Sequence, residues 1–279
     1  MKNVLTEIDK TLLEVLQKDF PLVSRPFDHF AGVCGISEEE VILRIKKLIS
    51  EGIIREISAI FNAGRLGYKS TLVALRAPEG LEENIAGIIN RHPGVSHNYF
   101  RDYKYNLWFT LIIMEETGFK EELEKLLEGA GDAGYLILPA IRTFKIGVDF
   151  KLTDGTKPGK AYQEKPETEN AETGPEQIVK TESLKAETGP SGRDKKIIMK
   201  LQEHMKIVQR PWKEMSSGLG MSETELLGCI KDFKDKGAIK RISAVLRHRK
   251  IGYTANGMAC FNISDEKIEQ AGNTLAQYP

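Results

Sequence analysis

The sequence lacks any apolar run approaching the ~20 residues that a membrane-spanning helix requires. Its start, MKNVLTEIDK, lacks the apolar stretch of a secretory signal. These absences predict a cytoplasmic protein with no membrane partner. Cysteine is scarce: Cys34, Cys229 and Cys260 stand apart, without the paired spacing of a zinc or redox site and without a CxxCH haem-attachment motif. They read as buried thiols in a reducing compartment, and no metal site is expected. Net charge is also missing, because 40 basic residues balance 40 acidic ones. No global attraction to nucleic acid follows. What is present, 41% apolar and 29% charged residues over 279 positions, is the composition of a globular chain of about two domains.

Self-similarity organises those positions. DKTLLEVLQKDFPLVSRPF from Asp9 repeats as DKKIIMKLQEHMKIVQRPW from Asp194, and EGIIREISAIFNAGRLGY repeats as KGAIKRISAVLRHRKIGY, at a constant offset of 185. The chain is two copies of one module. Between the copies, residues 153–193 contain AETGP twice and few large apolar side chains, a composition that cannot offset its ordering entropy by burial. This stretch is expected to be a flexible linker. The second copy ends before the counterpart of Val95–Phe109, which reads as an incomplete module.

Within a copy, apolar residues at helical spacing predict a helix over 6–18, a second from Pro26 to Gly32, and a third over 37–49. The third opens on Ser37 with Glu40 three residues on, a capping-box pattern. Three short helices with a tight turn make a helix-turn-helix unit. Strand patterns follow at 53–61 and 70–77, then a helix at 81–91, the hairpin VSHNYFR/YNLWFTLIIM, a helix at 118–128 and the strand-like YLILPAIRTFKIGVDF. The order β-α-β-β-α-β predicts a ferredoxin-like sandwich. The fold class is therefore α+β, with helix-turn-helix units at 1–58 and 194–245, a ferredoxin-like domain at 59–152 and part of a second at 246–279.

The hairpin is the unusual element. Val95–Phe109 carries a histidine, an arginine, two asparagines, three tyrosines and a tryptophan, whereas strands are normally aliphatic with one polar face. Its period of two predicts His97, Tyr99 and Arg101 on one face, each about 7 Å from the next, with Asn98 and Phe100 on the other. Asn106 and Trp108 on the returning strand share a face, and the register of the turn decides whether it is that of His97. We expect that it is. Such a face offers a proton donor, a phenol, a guanidinium and aromatic surface.

The stretches IDKTLLEVLQKD, GISEEEVILRIKKLISEGII and LGY resemble the Lrp/AsnC family of regulators, which implies DNA binding and a small-molecule effector site. Charge argues against DNA. Glu38, Glu39 and Glu40 stand at the reading end of the third helix, and residues 1–58 hold eight basic against ten acidic side chains, net −2. RPF, RPW, REISAIF, KRISAVLRHRKIGY and VSHNYFRDYKYNLWFTL resemble, more specifically, the siroheme decarboxylases, a branch of that superfamily whose two related subunits pair or are fused. This resemblance implies removal of CO2 from two acetate arms of siroheme to give didecarboxysiroheme in haem biosynthesis. No organic cofactor is implied, the substrate itself carries iron, and binding of haem stays open. It also implies a pseudo-dimer of the two modules that can assemble further. His97, Arg101, Tyr99 and His248 are then the candidate catalytic residues. Asn98, Tyr105, Asn106, Trp108, Arg55, Arg65, Arg241, Arg247 and Arg249 are candidates for holding an eight-carboxylate macrocycle. His29, His92 and His204 read as structural or exposed. A transcriptional regulator and a non-catalytic tetrapyrrole sensor remain the alternatives.

Overall fold

The computed structural model describes residues 5–114, 117–130, 133–144, 150–153, 190–253 and 257–277. In chain order the first copy contains α1 (Glu7–Leu16), α2 (Pro26–Cys34), α3 (Glu38–Ser50), β1 (Ile54–Phe61), β2 (Tyr68–Leu75), α4 (Glu82–Asn90), β3 (Val95–Phe100), β4 (Leu107–Met114), α5 (Phe119–Leu127) and β5 (Tyr135–Leu138). The second contains α6 (Gly192–Gln202), α7 (Pro211–Gly218), α8 (Glu223–Asp235), β6 (Ile239–Leu246) and α9 (Ile268–Ala276). Two compact units result. One combines the residues up to Phe61 with those of the second copy, and the other runs from Asn62 through the first sandwich.

In the first unit each copy builds the same three helices, and the RPF and RPW motifs acquire a physical reason. Pro26 and Pro211 occupy the first helical turn, where a missing N–H costs nothing. The following Phe27 and Trp212 are completely buried. The preceding Arg25 donates to the buried carboxylate of Glu38, and Arg210 makes the same bond to Glu223. Leu12, Leu13, Leu16, Val41, Ile45 and Leu48 close the first helical core, each contributing about 1.5–3 kcal/mol of burial. The capping box expected at Ser37 is half formed. Ser37 accepts from the Glu40 N–H at 3.2 Å, but the Glu40 carboxylate pairs instead with Arg44 at 2.7 Å. The second copy forms the full box, because Ser222 and Glu225 bond each other reciprocally.

Strand β1 leaves its own copy to pair antiparallel with β6 of the other. Ser58 lies opposite Ser243, its own counterpart at the repeat offset, and their neighbours pair symmetrically around that point, Ile57 with Ala244 and Ala59 with Ile242. The ribbon therefore carries a local twofold. Equivalent residues flank it, since Phe20 N–H donates to Ile242 C=O and Met205 N–H to Ile57 C=O, both at 2.8 Å. The bonds to the adjacent N–H groups use different side chains: Asp19 Oδ1 accepts from Ile242 N at 2.9 Å, and His204 Nδ1 accepts from Ile57 N at 3.0 Å. Residues 150–153 dock on α1, where Gln17 bonds both the N–H and C=O of Phe150 and Glu14 accepts from the N–H groups of Leu152 and Thr153.

The second unit is the predicted sandwich. Its sheet has the order β3-β4-β2-β5 with every pair antiparallel, as the β-α-β-β-α-β chain order requires. Helices α4 and α5 cover one face, where Val73, Leu75, Leu107, Phe109, Leu111, Ile85, Ile89 and Leu123 form the core. At the repeat offset β2 corresponds to 253–260, and the described residues of that stretch, 253 and 257–260, form no strand. Cys260 is consequently exposed rather than buried as expected, while Cys34 and Cys229 are half-buried. Burial pushes the Cys34 thiol up to about 11, which suits an inert core thiol.

Candidate functional site

The sheet face opposite α4 and α5 is built from the side chains that alternate with the core. Cross-strand partners share a face, so the pairings Leu138–Leu72–Thr110–His97 and Leu136–Ala74–Trp108–Tyr99 define two transverse rows. The rows span three inter-strand gaps, about 14 Å. They make a largely apolar platform that ends, at the edge strand β3, in His97 and Tyr99. Leu136, Leu138 and Tyr99 are exposed on it. A surface of this form fits a flat ring with polar substituents at its rim.

A bulge creates this arrangement. Val95 pairs with Leu111 but His97 pairs with Thr110, so one extra residue, Ser96, is inserted into β3. Val95 packs against the core. Without the bulge His97, two residues on, would point the same way; with it, His97 turns to the open face. Gly94 permits the turn. Its C=O accepts from Ile112 N at 2.8 Å, and a Cβ there would lie 2.2 Å from the Ile112 carbonyl oxygen. His92 supports the same corner: its Nδ1 accepts from Gly94 N, and its Nε2 lies 3.2 Å from Glu122. That bond, with Lys125 nearby, holds the Glu122 carboxyl below its ordinary range.

From His97 onward the alternation is regular. The rings of His97 and Tyr99 stack at 6.0 Å between centroids, and the Arg101 guanidinium lies over Tyr99 at 4.9 Å. The three side chains thus form one ladder. Arg101 Nε is buried with no acceptor among the described residues. Trp108, opposite Tyr99, adds its ring to the platform, and its Nε1 donates to the Tyr105 carbonyl at 2.6 Å.

Other nominated residues are placed elsewhere. Asn98 points to the helical face and donates to Asn90 Oδ1 at 3.0 Å. Asn106 is consumed internally, since its Oδ1 accepts from Ala77 N at 2.8 Å and its Nδ2 donates to Ala77 O at 3.0 Å. Asn106→Ala would strand both groups of the buried Ala77 backbone. We expect it to cost about 1–3 kcal/mol of stability, read as a lower urea midpoint; an unchanged midpoint would show that water replaces the amide. Arg65 is exposed in a 3-10 turn of the sandwich unit. In the helical unit Arg55 pairs with Glu56 at 2.5 Å, and Arg241 lies opposite Ile60 in the ribbon. Arg247 and Arg249 are exposed around the turn that carries His248, whose Nε2 is buried and has no partner among the described residues. Ser96 is the residue the sequence reading missed. A bulge leaves no mark in a hydrophobic pattern, and only the close-approach Gly94 beside it is a signal.

Among the described residues no helix is long and apolar enough to cross a membrane, and no group of three His, Cys, Asp or Glu side chains could hold a metal ion.

The family model of the AsnC-like ligand binding domain matches residues 65–145, and that of the siroheme decarboxylase NirDL-like HTH domain matches 9–55 and 194–240. A siroheme decarboxylase of Hydrogenobacter thermophilus is 36% identical over 273 residues, covering 98% of this chain and 76% of that protein. This chain is a member of the siroheme decarboxylase family. The NirDL subunit of the Paracoccus denitrificans enzyme is 30% identical over 98% of the chain and 77% of its own length. The alpha subunit of the Desulfovibrio desulfuricans siroheme decarboxylase matches at 38% over 52% of the chain and 83% of that subunit. The single-copy relative fits one module, as the internal repeat requires. Among solved structures, siroheme decarboxylase NirDL superposes with a TM-score of 0.70 at 31% identity, over 98% of this chain and 74% of that one. A second structure of NirDL, in complex with an iron-uroporphyrin III analogue, superposes with a TM-score of 0.69 at 29% identity. The tandem Lrp/AsnC-like architecture read from the repeat is therefore that of the family.

Proposed function

We propose that the chain is a carboxy-lyase that removes CO2 from two acetate arms of siroheme, giving didecarboxysiroheme. The observation that carries this reading is the ladder His97–Tyr99–Arg101 at the rim of a largely apolar platform. The platform takes the macrocycle face. The Arg101 guanidinium, whose Nε is unsatisfied, takes a carboxylate of the rim. In each decarboxylation the bond from the arm's methylene carbon to its carboxylate breaks. The electron pair stays on the macrocycle side, CO2 leaves, and a proton is delivered to that carbon, so that the arm becomes a methyl group. We assign the delivery of that proton to His97. Arg247, His248 and Arg249 form a second basic turn suited to carboxylates, and Tyr105, Arg55, Arg65 and Arg241 are further candidates of lower rank.

Incubation of the purified protein with siroheme, followed by absorption spectroscopy and product mass, tests the reading. A spectral shift with the loss of two CO2 supports it. A shift without loss of mass would make the protein a tetrapyrrole sensor, and neither change would return it to the regulators. Arg101→Ala should raise the siroheme Kd about tenfold or more, because a charge-assisted bond contributes about 1.5–3 kcal/mol. Titration of the absorption change measures it, and an unchanged Kd would remove Arg101 from substrate binding.

A further inference from the structure

Ser96 is the residue that the bulge adds to β3, and we propose that it is a positioning residue that dictates which nitrogen of His97 exchanges protons with the substrate. The inference rests on the reading of His97 as the proton donor. In an unbroken strand Ser96 and His97 would point to opposite faces and could not meet. The bulge between Val95 and His97 re-aims them, and Ser96 Oγ lies 3.0 Å from His97 Nδ1. Both side chains are exposed, so core packing does not force the contact. Tyr99 stacks on the flat of the same ring. Stacking restrains the ring plane, and the serine bond to Nδ1 restrains its rotation.

Which ring nitrogen carries the proton is set by the bond the other one makes. In the imidazolium both ring nitrogens carry protons, so the Ser96 oxygen accepts from Nδ1–H and Nε2–H is the one left to give. When the imidazolium passes its Nε2 proton to the carbon that has lost CO2, the neutral ring keeps its Nδ1 proton on the serine. Nε2 is then bare and ready to take the next proton from solvent, which closes the cycle with no net change in the residue. Free histidine prefers the opposite neutral tautomer, with the proton on Nε2. Without the serine, the ring relaxes to that form, takes its next proton on Nδ1 instead, and is free to rotate its donor nitrogen away from the platform. A nucleophile or base oriented by a third group is the general form of such a device.

The test uses the substrate-free full chain labelled with 15N-histidine, with His97 assigned among five histidines by a His97→Gln variant. At alkaline pH, where the ring is neutral, the wild type should carry its proton on Nδ1. Ser96→Ala should move it to Nε2, and Ser96→Thr should restore it. With siroheme, Ser96→Ala should lower kcat about tenfold at unchanged KM, a part of the ~100-fold or more that a positioned proton donor contributes, and Ser96→Thr should recover most of the loss. The same tautomer in wild type and Ser96→Ala overturns the inference whatever the activity. A moved tautomer with wild-type kcat overturns the positioning role. Wild-type kcat in His97→Gln overturns instead the proton-donor reading beneath it, and the tautomer measurement separates the two failures.

Discussion

Replacement of His97 by alanine should reduce siroheme decarboxylation by about 100-fold or more while leaving the thermal unfolding curve where it was. The first half follows from chemistry. Loss of CO2 leaves an electron pair on carbon that must be protonated, and His97, stacked in the ladder with Tyr99 and Arg101, is the proton donor we propose. The second half follows from packing. His97 is exposed and stands outside the core formed by Val73, Phe109 and Leu111, so its removal opens no cavity. Single-turnover decay of the siroheme spectrum and a melting curve measured on the same preparation check both halves. A variant that melts normally and turns over at the wild-type rate would remove His97 from the mechanism.

Gly94→Ala should have the largest effect on folding among the residues of this corner. The added methyl would meet the Ile112 carbonyl oxygen at 2.2 Å, and that neighbour is backbone in the central strand β4, which cannot swing aside as a side chain would. The cost is about 3 kcal/mol, a fall of roughly 15 °C in the melting temperature of a domain of this size. Relief is available only by pulling the start of β3 away from β4, which undoes the bulge and turns His97 from the platform. Stability and turnover should therefore fall together, in contrast with His97→Ala, where only turnover falls. A Gly94→Ala protein with the wild-type melting temperature would show that the strands separate there without cost.

Much of this was legible in the residues. The repeat at offset 185 anticipated two helix-turn-helix units, and their helices form close to the predicted bounds. The shared face of His97, Tyr99 and Arg101 was legible because the alternation runs unbroken after His97; the bulge that sets its direction lies one residue earlier and left no pattern. Trp108 shares that face through its pairing with Tyr99. Asn106 was not legible, because a side-chain amide facing the backbone at the end of the neighbouring strand looks the same in sequence as one facing a ligand. The pairing of β1 with β6 was also hidden. Both stretches read as strands, but partners far apart in sequence are chosen by shape and burial, which local periodicity does not carry.

The three glutamates of α3 illustrate the same limit from the other side. They were read as repelling DNA, and the structure gives two of them internal duties: Glu38 is held by Arg25 and Glu40 by Arg44. Glu39 reaches Gln209 of the second copy at 3.3 Å. A helix end spent on contacts within the protein is poorly placed to read base edges.

The surroundings of the β1–β6 ribbon also differ between the two copies. Asp19 bonds both Ile242 N–H and Lys234 of the second copy, whereas His204, its counterpart, bonds Ile57 N–H across the ribbon, and the counterpart of Lys234 is Ile49. Two first copies brought together would set Asp19 against Ile49 twice; two second copies would set His204 against Lys234 twice. Only unlike copies join a carboxylate to an ammonium across the ribbon. Each such contact contributes less than about 1 kcal/mol at a partly exposed site, but it enters as a difference between matched and mismatched pairs, the quantity on which partner choice depends. Two related surfaces around one pair of serines thereby carry a bias toward each other over themselves.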